Sequence, residues 1–168
     1  MESAVMPRWL RAGIVVLVGL VLHTSVFPQL RIAEVRPDVM LLLAVLGGLA
    51  AGPQVGAVFG FACGLAVDLL LQTPLGLSAL TFSLIGYGVG AFQGVLLRSA
   101  LWLTPAVAAA ASAIGVLAFA LVGAVLGQAH LITPTVFSVM ALVAVLNAVL
   151  ALPAARAVTW ALQEDDPT

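Results

Sequence analysis

Asp68 is the ionisable side chain that this sequence carries deepest into apolar territory: no Asp, Glu, Lys or Arg lies between Asp38 and Asp68, or between Asp68 and Arg98. Insertion scales charge ~2.5–3.5 kcal/mol for an Asp at a membrane centre and less near an interface, so a retained carboxylate is there to pair, to handle a proton or to touch a ligand. Ahead of it run Gly48, Gly52, Gly56, Gly60 and Gly64, four residues apart, and Gly86, Gly90 and Gly94 repeat the spacing after a turn. On a helix such a run makes one stripe without side chains, which lets two backbones approach. Gly56, Gly60, Gly64, Gly86, Gly90 and Gly94 are therefore candidates for packing two neighbouring helices together or for docking a partner's helix. Asp68 lies 13 residues beyond Val55, ~20 Å along a helix, which puts it near the far interface. Arg36 is its candidate partner in an ion pair at that outer boundary, with Arg31 the other cation on the same side.

Other chemistry is sparse. His23 and His130 each stand alone in the sequence, without a second His, Cys or Glu at ligand spacing, so no metal site is expected. No Ser/His/Asp set, phosphate-cradling glycine loop or close carboxylate pair occurs within the membrane stretches, so neither an enzyme nor a bound cofactor is expected. Tyr87 and Asn147 are the polar side chains expected to line a shared cavity or, in preference, to hydrogen-bond across helices. Cys63 is the only cysteine and reads as a small packing residue. The chain has no Lys and a formal net charge of −1, so it offers no polybasic tract and nucleic-acid binding is excluded.

The elements that must position these residues are membrane helices. Of the 168 residues 63% are hydrophobic and 8% charged, against about a quarter charged in a soluble domain. The stretch from Ser99 to Ala155 has 57 residues without Asp, Glu, Lys or Arg, room for two spans of ~20 residues. One integral membrane domain over residues 1–168 is expected, an all-α bundle of about six helices: Ala12 to Phe27, Val39 to Ala51, Val55 to Leu71, Leu77 to Leu97, Trp102 to Leu126 and Thr135 to Ala155. The second is short for a crossing and implies extension into the preceding loop or a broken, partly buried segment. Gly52-Pro53 and Thr73-Pro74-Leu75-Gly76 read as tight turns. Gly19 stands apart from the glycine stripes and is expected to tolerate a large side chain.

Arg36-Pro37-Asp38 opening an apolar run, Gly60-Phe61 and Gly64-Leu65 ahead of Asp68, then Pro74-Leu75-Gly76 and Gly86-Tyr87, resemble the rod shape-determining protein MreD family. The resemblance covers about Arg36 to Gly94. It implies a non-enzymatic component of the cell-elongation machinery in a bacterial cytoplasmic membrane, with MreC as partner and, through it, the MreB cytoskeleton, a wall-synthesis glycosyltransferase and its transpeptidase. It also implies a fold similar to the substrate-binding components of energy-coupling-factor vitamin transporters. Transport by such a vitamin-binding component is the alternative function. It would need a convergent polar cavity near the midplane, for which Tyr87, Asn147 and Asp68 are the few candidates.

Arginine placement sets the expected orientation. With six spans, Arg8, Arg11, Arg98 and Arg156 fall on one side and Arg31 and Arg36 on the other, which favours both termini in the cytoplasm. Trp9, Trp102 and Trp160 then share the cytoplasmic interface, where indole rings prefer to sit. An alkaline phosphatase fusion should accordingly be inactive after residue 168 and active within Gln128 to Pro134; the reverse pattern overturns the topology.

Overall fold

The computed structural model describes residues 6–26, 37–70, 75–96, 102–127 and 135–163. Its regular elements are all helical: α1 (Arg8–Val21), a π-helical turn (Leu22–Val26), α2 (Val39–Leu70), α3 (Leu77–Ala91), the single turn α4 (Gln93–Leu96), α5 (Leu103–Val125) and α6 (Val136–Leu162). Among the described residues four helices are long and apolar enough to cross a membrane: Arg8–Ser25, Val39–Leu70, Leu103–Val125 and Val136–Leu162. α3 is also apolar, at 15 residues. The architecture is a multi-pass membrane bundle in which α3 packs chiefly on α2, and α5 on α6.

The long helices do not reproduce six separate spans, and the difference lies in α2. The sequence reading separates Val39 to Ala51 from Val55 to Leu71 by a tight turn at Gly52-Pro53; in the structure these are the two limbs of α2, which breaks at Gly52 (φ 83°, ψ −177°). That backbone conformation is open to glycine and closed to residues with a Cβ. Pro53 follows as the first residue of the second limb, where its missing N–H loses no helical bond. The break is a reversal. Gly48 and Gly56 touch, as do Gly47 and the Phe59 ring, whereas a continuous helix would hold residues eight and twelve positions apart ~12 and ~18 Å from each other. The two limbs thus lie back along one another as a helical hairpin.

This arrangement also accounts for the short first limb. Every residue from Val39 to Leu49 is buried, so the limb is surrounded by protein and has no lipid face of its own. Its start is pinned inside the bundle, because Asn147 Nδ2 donates to the Asp38 carbonyl oxygen at 3.1 Å. Asn147 lies 11 residues into α6, ~16 Å along that helix. A segment that begins below the surface need not measure ~30 Å. Non-helical backbone at that depth is tolerated where protein encloses it.

Other boundaries shift modestly. α1 begins at Arg8, four residues before the expected start, and gives way to the π turn at Leu22. The fourth expected span, Leu77 to Leu97, is interrupted at Phe92, whose N–H turns back to the Val89 carbonyl at 3.2 Å. α6 runs past Ala155 and Arg156 to Leu162. The expectation for Gly19 is corrected: it is buried, and a Cβ there would meet the Leu43 side chain, because α1 lies against the first limb of α2 at that point. Gly13, on another face of α1, is exposed and has nothing within reach of a Cβ.

The first and last helices meet at one end of the bundle. The Arg11 guanidinium donates to the carbonyls of Trp160 at 3.2 Å and Gln163 at 3.1 Å, and lies 6.0 Å from the Trp160 ring centroid. The last carbonyls of a helix have no intrahelical partner and carry partial negative charge, so a cation there satisfies both. Arg11→Gln should lower the unfolding free energy in detergent by about 1–2 kcal/mol, through loss of charged bonds to α6; an unchanged unfolding curve would remove Arg11 from the account.

Candidate functional site

Asp68 sits two residues before the end of α2 and is 2% exposed. The C-terminal end of a helix repels an anion, so the carboxylate needs another source of positive potential. It finds one across the turn. The backbone N–H groups of Gly76, Ser78 and Ala79 donate to its two oxygens at 2.9, 3.1 and 3.1 Å. Gly76 is the N-cap of α3 and supplies no side-chain acceptor. Asp68 therefore takes the place that Ser, Thr or Asp would take at the cap, binding the orphan donors of the first turn from another helix. Gly76 adopts φ 98°, a left-handed conformation that turns its N–H into this cluster.

Below the cap the two helices are in backbone contact. A Cβ added to Gly64 would meet Ser78 and Ala79, one on Gly60 would meet the Phe82 carbonyl and Ser83, and one on Gly56 would meet the Gly86 carbonyl and Gly48. From the other side, a Cβ on Gly86 would strike Gly56, and one on Gly90 would strike Gly52 and Pro53. Three helical segments, the two limbs of α2 and α3, thus meet where only hydrogen atoms fit between the backbones. Gly94 is different: it falls in α4, is exposed, and would present a Cβ to open space. Arg36 and Arg31, the expected partners of Asp68, lie outside the described residues.

Asn147 forms the other internal polar link. It is fully buried, and its Nδ2 donates to Ser112 Oγ at 2.8 Å as well as to the Asp38 carbonyl, joining α5, α6 and the start of α2. Asp38 in turn accepts the Leu41 N–H through Oδ1 at 3.0 Å, a local N-cap. His23, on the π turn, is close enough to act on the Asp38 carboxylate electrostatically. Tyr87 is 53% exposed and does not share the enclosed site of Asn147, which is 0% exposed. Cys63 is buried against the core cluster. Among the described residues no three His, Cys, Asp or Glu side chains come together to hold a metal ion. His130 lies outside the described residues.

The sequence reading picked out Asp68 and Asn147 but not the partners shown here. Backbone donors belong to every residue and carry no letter of their own. The available signal was the turn itself: a helix beginning after Leu75-Gly76 without a capping side chain leaves donors in need of the nearest acceptor.

Fold and site together define a multi-pass membrane helix bundle whose interior polar groups bind helix ends and whose closest contact is glycine against backbone. The family model for the rod shape-determining protein MreD matches residues 4–156, and the chain belongs to that family. Its members are shape-determining membrane proteins, not a known enzyme family. No curated protein and no solved structure matches the chain.

Two sets of variants test the site. Asp68→Ala should cost about 2 kcal/mol or more of unfolding free energy and Asp68→Asn less, since an amide oxygen can still accept while its NH2 cannot. Gly60→Leu and Gly90→Leu should cost more than ~2 kcal/mol each by forcing helices apart, with Gly94→Leu near wild type. Equal stability of Gly60→Leu and Gly94→Leu in detergent unfolding would contradict the packing described.

Proposed function

We propose that this protein is a non-enzymatic scaffold of the bacterial wall-elongation machinery, which binds MreC within the cytoplasmic membrane and positions a wall-synthesis glycosyltransferase and its transpeptidase. The observation that carries the reading is the family match over residues 4–156, since the family's role is the determination of rod shape. In support, the glycine stripes, Gly94 apart, are occupied by contacts within the chain, so partners meet the lateral, lipid-facing surface of a bundle held together from inside. The described part of that surface includes large apolar side chains such as Val58, Leu84, Phe137 and Val149, all at least 56% exposed. Apolar helices in lipid associate by packing and short-range contacts, which suits assembly without turnover.

On this reading the bundle has six membrane-embedded segments, counting the limbs of α2 separately and α3 as one, with both termini cytoplasmic and a fold akin to the substrate-binding components of energy-coupling-factor transporters. The contact of Arg11 with the end of α6 supports the placing of the two termini on one side. Asp68 retains capacity for a cation beside its three backbone donors, because a carboxylate offers about four lone-pair sites. We include the Asp68–Arg36 pair in the proposal. A double-mutant cycle of Asp68→Asn with Arg36→Gln should show a coupling above ~0.5 kcal/mol.

Depletion in a rod-shaped host should give rounded cells, and the purified protein should capture full-length MreC from detergent solution without any added small molecule. Normal cell shape after depletion, together with saturable uptake or retention of a vitamin, would replace the scaffold with the transport reading.

A further inference from the structure

Between α1 and the second limb of α2 runs an open trench of about 560 Å³, within the ~300–1,000 Å³ range of pockets that take small organic ligands. Its two halves differ in chemistry. Arg8 and Trp9 line the mouth, at the end where Arg11 meets the end of α6. The body is apolar, with small residues such as Gly13 and Ala62 set between Leu17 and Val58. Gly13 and Ala62 are exposed, and a Cβ on Gly13 would meet nothing, so the trench opens sideways to the surrounding medium. Among the described residues no acidic side chain lines it. The Trp9 side chain, 74% exposed, marks the mouth as the headgroup level of a bilayer.

We propose that this trench is a binding site for one anionic glycerophospholipid, with an acyl chain along the apolar body and the phosphate against the Arg8 guanidinium and the Trp9 indole N–H. The charge at the mouth selects this occupant. An apolar helix from a partner would cover the walls but match neither the charge of Arg8 nor the Trp9 indole N–H, whereas a lipid phosphate sits at that depth by its own amphipathy. A guanidinium has five donors in a planar fork, so it can bind a phosphate while keeping another partner. Arg11, engaged with the carbonyls of α6, adds positive potential behind the mouth, and the N-terminal end of α1 adds its dipole. The proposal is independent of whether the chain binds MreC.

The test is native mass spectrometry of the purified full chain, supplied with phosphatidylglycerol or phosphatidylethanolamine of matched acyl chains. Wild type should retain phosphatidylglycerol about fivefold better, the effect of one cation near an anionic surface. Arg8→Gln should remove that preference while leaving some retention of both lipids. Gly13→Leu, which fills the trench from an exposed helix face, should lower retention of both on the order of tenfold, as expected for displacing two methylenes, with the unfolding transition unchanged. Gly88→Leu, at an open glycine in the separate groove between α3 and α5, should change nothing. Equal retention of the two lipids by wild type, or full retention by a folded Gly13→Leu, overturns the proposal. So does loss of MreC capture by Gly13→Leu with lipid retention intact, which would assign the trench to a protein helix.

Discussion

Hydrocarbon offers no hydrogen bonds, so each place where this chain stops being helical must be covered by the chain itself. The junction of α2 and α3 shows how. Three amide N–H groups at the start of α3 converge on the Asp68 carboxylate, and the charge that would be costly in lipid becomes the acceptor that those amides require. Neither partner is stable alone: the carboxylate stands at the wrong end of its own helix, and the amides begin a helix whose cap residue has no side chain. Their combination fixes the rotation and depth of α3 relative to α2.

The glycine contacts depend on that register. Gly56, Gly60 and Gly64 can face Gly86, Phe82 and Ser78 only if α3 starts at the right height, and the cap sets that height. Close approach in turn leaves room for the first limb of α2, so that Gly48 reaches both Gly56 and Gly86. At the other side of the bundle, Asn147 holds the beginning of that limb and Arg11 holds the end of α6. Four side chains, Asp38, Asp68, Asn147 and Arg11, thus bind backbone groups at helix starts or ends, and three of them do so on a helix other than their own. This leaves large apolar side chains on the lateral surface of the described helices, which suits the proposed assembly within the membrane.

Membrane class and helical architecture were legible because composition and hydropathy are local properties of the sequence. The short segment from Val39 to Ala51 was also visible as an anomaly, since 13 residues fall short of a crossing. Its return along Val55 to Leu70 follows from the Gly52-Pro53 turn, which joins two successive helices antiparallel; what was not visible is that the first limb is enclosed by protein along its whole length, because its neighbours come from distant parts of the sequence. Asp68 was found by its isolation, and the search for its partner then went to the opposite charges, Arg36 and Arg31. Arg11 was read for orientation alone, since its acceptors lie 149 and 152 positions away and no local pattern connects them. Gly19 was misplaced for a related reason: one glycine without a repeat gives no sign of which neighbour it meets.

Amide hydrogen exchange of the protein in lipid bilayers reads the Asp68 cap at the amides it holds. Gly76, Ser78 and Ala79 precede the point at which α3 can satisfy its own N–H groups, so without an external acceptor they should exchange rapidly. Slow exchange is expected at all three in the wild type, and selective acceleration of these amides in Asp68→Asn while those of α5 remain protected. Rapid exchange at Ser78 and Ala79 in the wild-type protein would contradict the cap.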